Sequence, residues 1–135
     1  MNKIFIRFTI KSDKLNLLEI RNNIRLEENV SVYQKGEIYE LKYNVKAQPQ
    51  KTNRWVYSIE SVAKEKLNAL LKRMFKDLKP HINDIRSYTK KYYSIIEIII
   101  YEEEQKSIFN TNLSKENLKL LNLINTRLSI TFIDF

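Results

Sequence analysis

Residues 95–101 read Ile95-Ile96-Glu97-Ile98-Ile99-Ile100-Tyr101, and how this run is covered decides the fold. It is nearly all apolar and β-branched, so it forms a strand that is covered on both faces or lies mid-sheet. Far upstream, Ile4, Ile6, Phe8 and Ile10 alternate with Lys3, Phe5, Arg7 and Thr9, the period-two pattern of a half-buried strand. Ser12-Asp13 offers a helix cap before Leu15, Leu17, Leu18 and Ile20. After a turn at Gly36, Tyr39, Leu41, Tyr43 and Val45 predict a second strand. The polar stretch Gln48 to Asn53 predicts a hairpin loop, and Trp55, Tyr57 and Ile59 form the inner face of a third strand.

A helix is expected to start near Ser61, because Ala63, Leu67, Leu70, Leu71, Met74 and Leu78 recur at spacings of three and four. Pro80 ends or bends it, and a further helical turn is expected from Ile82 through Ile85 and Tyr88. Beyond the apolar strand, Ser114 reads as an N-cap with Glu116 in the first turn, and Leu113 and Leu118 as a hydrophobic staple. That helix runs through Leu121 and Ile124, and Leu128, Ile130 and Phe132 close the chain as an alternating strand.

The order is therefore β-α-β-β-α-β-α-β in a single domain spanning residues 1–135. The expected class is α+β: a ferredoxin-like β-α-β-β-α-β core with a C-terminal α-β extension, a mainly antiparallel sheet and helices on one face. In such a core the apolar strand 95–101 would lie at an edge and invite aggregation. The added helix and strand are expected to cover that edge; a homodimer paired through it is the alternative.

Composition narrows the function classes. The chain has no Cys, one His (His81) and one Gly (Gly36). A phosphate-cradling loop needs several glycines, a zinc site needs clustered ligands, and a nucleophilic triad needs His or Cys beside its partners. No enzymatic activity, metal or cofactor is therefore expected. Absent Cys fits a reducing cytoplasm, and Arg7 arrives too early for a secretory leader. The longest apolar run is too short to cross a bilayer, so no membrane partner is expected.

Net charge is +8 with a pI near 9.6, which favours a polyanionic partner. Lys outnumbers Arg 17 to 7, so compositional drift competes with function as the source of that charge. Residues 61–92 hold nine basic against three acidic groups, whereas residues 93–135 hold four against six.

Several local patterns recur as an ordered set. Gln34-Lys35-Gly36-Glu37 precedes a strand, and Arg54-Trp55-Val56-Tyr57-Ser58 opens the next. Leu67-x-x-Leu70-Leu71 and Leu78-x-Pro80 follow, then Leu113-Ser114-x-Glu116-x-Leu118-x-x-Leu121 before a final alternating strand. This order resembles the bacterial domain-of-unknown-function family numbered 4279 over nearly the whole chain, departing from it at Asn53 and Thr131. The resemblance implies a compact α+β domain and carries no catalytic residues. Analogy with other small bacterial proteins suggests an immunity- or inhibitor-like role.

Two surfaces are candidates. If the alternating apolar sets face the helices, then Phe5, Arg7, Lys42, Arg54, Val56, Glu97, Ile99 and Tyr101 face away. Phe5, Arg7, Arg54 and Tyr101 are the candidate protein-binding residues on this open face. The third helix or another subunit is expected to cover it. The alternative is a nucleic-acid surface of Lys72, Arg73, Lys76, Lys79, Lys90 and Lys91, with Tyr88, Tyr92 and Tyr93 interleaved for stacking. Trp55 is expected to anchor the core with its indole N–H bonded to one acceptor. Glu102-Glu103-Glu104 is expected to form a solvated turn. The expected function is a protein–protein interaction module, with nucleic-acid binding through 61–92 as the second reading.

Overall fold

In the computed structural model of the protein, which describes residues 3–38, 50–102 and 112–134, the first alternating run forms β1 (Lys3–Ser12) at the middle of the sheet. Ile6 and Phe8 of this strand find apolar partners on both sides. Phe8 sits between Tyr57 and Ile96, and Ile6 between Ile59 and Ile98. The neighbours are β3 (Asn53–Glu60) and β4 (Tyr93–Glu102), both antiparallel to β1. β2 (Val30–Tyr33) pairs antiparallel with β3, and β5 (Arg127–Asp134) runs parallel to β4, giving the order β2-β3-β1-β4-β5.

The apolar strand is therefore interior to the sheet, flanked by β1 and β5. β5 occupies the edge of residues 95–101 through which a homodimer was the alternative. The sheet is mixed rather than mainly antiparallel. Among the described residues one helix lies between β4 and β5, and a strand-helix-strand crossover leaves its two strands parallel.

The helices are α1 (Leu17–Asn23), α2 (Leu67–Leu78), α3 (Ile82–Lys91) and α4 (Lys115–Ile124). Asn16, not Ser12-Asp13, caps α1: its Oδ1 accepts from the Glu19 N–H at 3.0 Å. Ser12 instead accepts from the Lys14 N–H within a turn. α2 starts six residues later than Ser61 because that segment has other bonds to make. Ser61 Oγ accepts from the Ile4 N–H at 2.9 Å, and Lys64 has a φ of +66° that no α-helix admits. Ala63 is consequently exposed. Pro80 lies in a 3₁₀ turn, Lys79–His81, where its missing N–H costs little, and α3 continues for ten residues.

β2 at Val30–Tyr33 was not expected from the sequence, and the expected strand Tyr39–Val45 lies outside the described residues. Gly36 takes a φ of +88°, and nothing within 4 Å would meet a Cβ there. Its N–H donates to the Gln50 carbonyl at 2.9 Å, and Gln50 N–H returns a bond to Glu37 at 2.9 Å. These bonds extend the pairing of β2 and β3 toward the connection between them.

One hydrophobic cluster joins the even face of β1, Trp55, Tyr57 and Ile59 of β3, and Ile96, Ile98 and Ile100 of β4 to the inner faces of the helices. Trp55 is fully buried and meets Phe8 edge-on at 5.7 Å. Its indole N–H, expected to find an acceptor, is buried without one among the described residues. Glu102, expected in a solvated turn, is buried at the end of β4; Glu103 and Glu104 lie outside the described residues.

α4 settles the fate of the other sheet face. It packs beside α2 and α3 in the helical layer, burying Asn117, Leu121 and Ile124. Asn117 Nδ2 donates to the Asn68 carbonyl of α2 at 3.1 Å, and Thr89 Oγ1 of α3 donates to the Ile124 carbonyl at 2.7 Å. The expectation that the third predicted helix would cover the open face is thus wrong. The buried polar side chains of Thr89 and Asn117 are satisfied by α4 and α2 respectively, which holds α4 to the helical side.

Candidate functional site

The sheet face that no helix of the described residues covers is built from the odd-numbered residues of β1, and strand register lays their neighbours out in rows. Phe5 lies between Glu60 and Ile99, Arg7 between Ser58 and Glu97, Thr9 between Val56 and Ile95, and Lys11 between Arg54 and Tyr93. β2 extends two of these rows, placing Ser31 opposite Val56 and Tyr33 opposite Arg54. β5 adds Ser129 beside Glu97 and Arg127 beside Ile95.

Across the β2, β3, β1 and β4 part of this face lies a cleft of about 380 Å³. Arg7, Lys11 and Arg54 supply three cations to it, and Thr9, Ser31, Ser58, Tyr33 and Gln50 supply hydroxyl and amide groups. Glu97 is the one carboxylate lining it among the described residues. Lys11 and Arg54 stand directly opposite each other across adjacent strands. Like charges so placed repel. Among the described residues little around them offsets this: Lys11 Nζ lies 5.0 Å from the Tyr93 ring centre, and Arg54 Nε reaches Thr52 Oγ1 at only 3.4 Å. Arg7 is exposed and, among the described residues, has no hydrogen bond or ion pair. Arg127 stacks over the Tyr93 ring at 4.6 Å, adding a fourth cation beside the cleft.

Of the four protein-binding candidates, Arg7 and Arg54 line the cleft. Phe5 and Tyr101 lie on the same face toward the other end of β1. They meet edge-on with ring centres 5.6 Å apart, and Lys3 Nζ sits 5.1 Å from the Phe5 ring. The face therefore has a cationic end and an aromatic end. Lys42 lies outside the described residues. Lys11, Tyr33 and Arg127 were absent from the sequence-based site. The alternation of β1 already assigned Lys11 to this face, whereas Tyr33 and Arg127 needed the pairing of β2 and β5.

The helix-side cations are divided among other tasks. Arg73 donates to Glu65 at 2.8 Å and to the Glu60 carbonyl at 2.7 Å, pinning the β3–α2 connection. This bond holds the Glu65 carboxyl below its usual range. Lys91 Nζ lies 5.4 Å from the Tyr92 ring. Lys72, Lys76, Lys79 and Lys90 are exposed. Tyr88 is buried and donates to Glu19, while accepting from Asn23 at 2.8 Å, so it is no stacking platform. Tyr93 belongs to the open face rather than to α3. His81 is half-buried in the 3₁₀ turn, and among the described residues no group of three His, Asp or Glu converges as metal ligands. No helix of the described residues is long and apolar enough to cross a membrane.

Among the described residues, a helical layer on one side of a five-stranded mixed sheet, with a polar cationic cleft on the other side, makes a two-layer α+β scaffold. The chain belongs to a family described as a domain of unknown function (DUF4279), whose model matches residues 2–134. No curated protein and no solved structure matches it.

Proposed function

We propose that the protein is a non-enzymatic binding module whose open sheet face takes an acidic segment of a partner protein. The observation that carries this reading is the directly opposed pair Lys11 and Arg54 in a cleft with a single lining carboxylate among the described residues. A carboxylate placed between two such cations relieves their repulsion and accepts charge-assisted hydrogen bonds from both. Phe5 and Tyr101 then offer apolar area to flanking side chains of the same segment. An interaction of this kind suits an immunity- or inhibitor-like protein acting in a reducing cytoplasm. The strand order β2-β3-β1-β4, antiparallel throughout, supports reading this part as a ferredoxin-like core to which α4 and β5 are appended.

The test is quantitative capture from host lysate with and without nuclease. It compares the wild-type chain, the cleft variant Lys11→Glu/Arg54→Glu, and the helix variant Lys72→Glu/Lys76→Glu/Lys90→Glu/Lys91→Glu. A stoichiometric protein that survives nuclease, is lost with the cleft variant and is retained by the helix variant supports the proposal. Nuclease-sensitive capture abolished by the helix variant would replace it with nucleic-acid binding through residues 61–92.

A further inference from the structure

β5 relieves the edge of β4 and in doing so creates an edge of its own. Among the described residues no strand pairs with its other side. Unpaired edges are usually blunted by charge, proline or a bulge, yet residues 128–133 read Leu-Ser-Ile-Thr-Phe-Ile without one charge or proline. Leu128, Ile130 and Phe132 share the helix-side face with Ile96, Ile98 and Ile100. They nevertheless remain 41, 39 and 38% exposed.

The pattern is symmetric about Ile130. In an antiparallel pair with a two-fold axis normal to the sheet, a residue n places before the centre meets the residue n places after it, on the same face. Centred on Ile130, Leu128 meets the second copy's Phe132 and Ile130 meets itself. On the other face Ser129 meets Thr131. Over residues 128–132 every apolar group meets an apolar group and each hydroxyl meets a hydroxyl, and the pair beyond them sets Arg127 opposite Ile133. Shifting the centre to Thr131 would put Leu128 opposite Asp134, and shifting it to Ser129 would put Phe132 opposite Thr126. The Ile130 register matches all of residues 128–132, and its complement is the same strand.

We infer that the free edge of β5 is a homodimerisation seam, in which a second copy pairs antiparallel about Ile130 to continue the sheet to ten strands. Seven paired residues at about 3.4 Å each make a seam about 24 Å long. With side chains on both faces it buries on the order of 1,000 Å² in total, the low end of specific interfaces. A dissociation constant on the order of 10 µM is expected. The cationic cleft lies toward β2 and stays open in such a dimer.

Sedimentation velocity of the full chain from about 1 to about 300 µM, bracketing that constant, should show a monomer becoming a dimer. Ile130→Lys should keep it monomeric. The chain has no cysteine, so single-cysteine variants report geometry directly. Ile130→Cys at the two-fold should cross-link copies under mild oxidant at least tenfold faster than Ser58→Cys on the open face. A wild-type chain that stays monomeric throughout, or equal cross-linking at the two positions, overturns the inference.

Discussion

Replacing Asn117 by Ala should unlatch α4 from the helical layer by a calculable amount. Asn117 is 4% exposed, and its Nδ2 donates to Asn68 Oδ1 at 2.9 Å and to the Asn68 carbonyl at 3.1 Å. The same Oδ1 accepts from the Ser114 N–H at 3.0 Å, so one amide couples α2 to the cap of α4. Alanine keeps the backbone bond of residue 117 to Ser114 Oγ but loses both side-chain bonds. At about 1 kcal/mol each the loss is about 2 kcal/mol, with a further fraction for the small void. Alanine's better helix propensity returns about 0.6 kcal/mol, leaving a net cost near 1.5–2 kcal/mol. For a chain of this size that is about 6 °C in Tm. Urea unfolding of Asn117→Ala against the exposed neighbour Asn122→Ala measures it. The neighbour should be neutral or slightly stabilising. A change below about 0.5 kcal/mol for Asn117→Ala would refute the claim that this amide holds α4 on the helix side.

Three further outcomes follow from named contacts. The Arg73 hydrogen bond lowers the Glu65 carboxyl from its usual 4.5, so its stabilisation is present above that pH and lost as pH falls through the lower folded value. Glu65→Gln should flatten this acid limb in urea midpoints taken between pH 7 and pH 3, and an unchanged slope would deny the pair its role. Burial, and then its hydrogen bond to Asp77 at 2.7 Å, raises Tyr57 far above its usual 10.0. The folded state therefore favours the phenol, a contribution complete below that pH and lost above it. In an alkaline absorbance titration near pH 11, Tyr57→Phe should remove no tyrosinate signal while the chain is folded. Ile98→Ala, mid-sheet and fully buried, should cost about 3–4 kcal/mol in chemical denaturation, and a loss under about 1 would contradict its place at the centre.

The elements legible in the sequence were those whose own periodicity or capping signal matches their burial. The alternation of β1, the Ser114 cap and the apolar run of β4 read directly into structure, because local periodicity and burial agree there. Short or interrupted elements did not. β2 is four residues long, and Val30 and Val32 are only half-buried, so no period rises above its surroundings. α2 was read too early because Ala63 happens to fit the helical stripe. What excludes residues 61–66 from the helix is a long-range bond, Ser61 to Ile4, that no local pattern encodes. The side chosen by α4 was likewise invisible, since Asn117 reads as a surface residue until Asn68 is beside it. For the site, Phe5, Arg7, Arg54 and Tyr101 were assigned to the open face by alternation alone. Their division into a cationic and an aromatic end depends on register, as does the opposition of Lys11 and Arg54.

The measurement closest to the central claim is an NMR titration of the isotope-labelled chain with a short acidic peptide, and separately with a single-stranded oligonucleotide. The peptide should perturb the amides of Arg7, Thr9, Lys11, Arg54 and Val56, saturate, and lose its effect in Lys11→Glu/Arg54→Glu. Perturbations confined to Lys72, Lys76 and Lys90, or an oligonucleotide that binds there while the peptide leaves the sheet face unchanged, would contradict it.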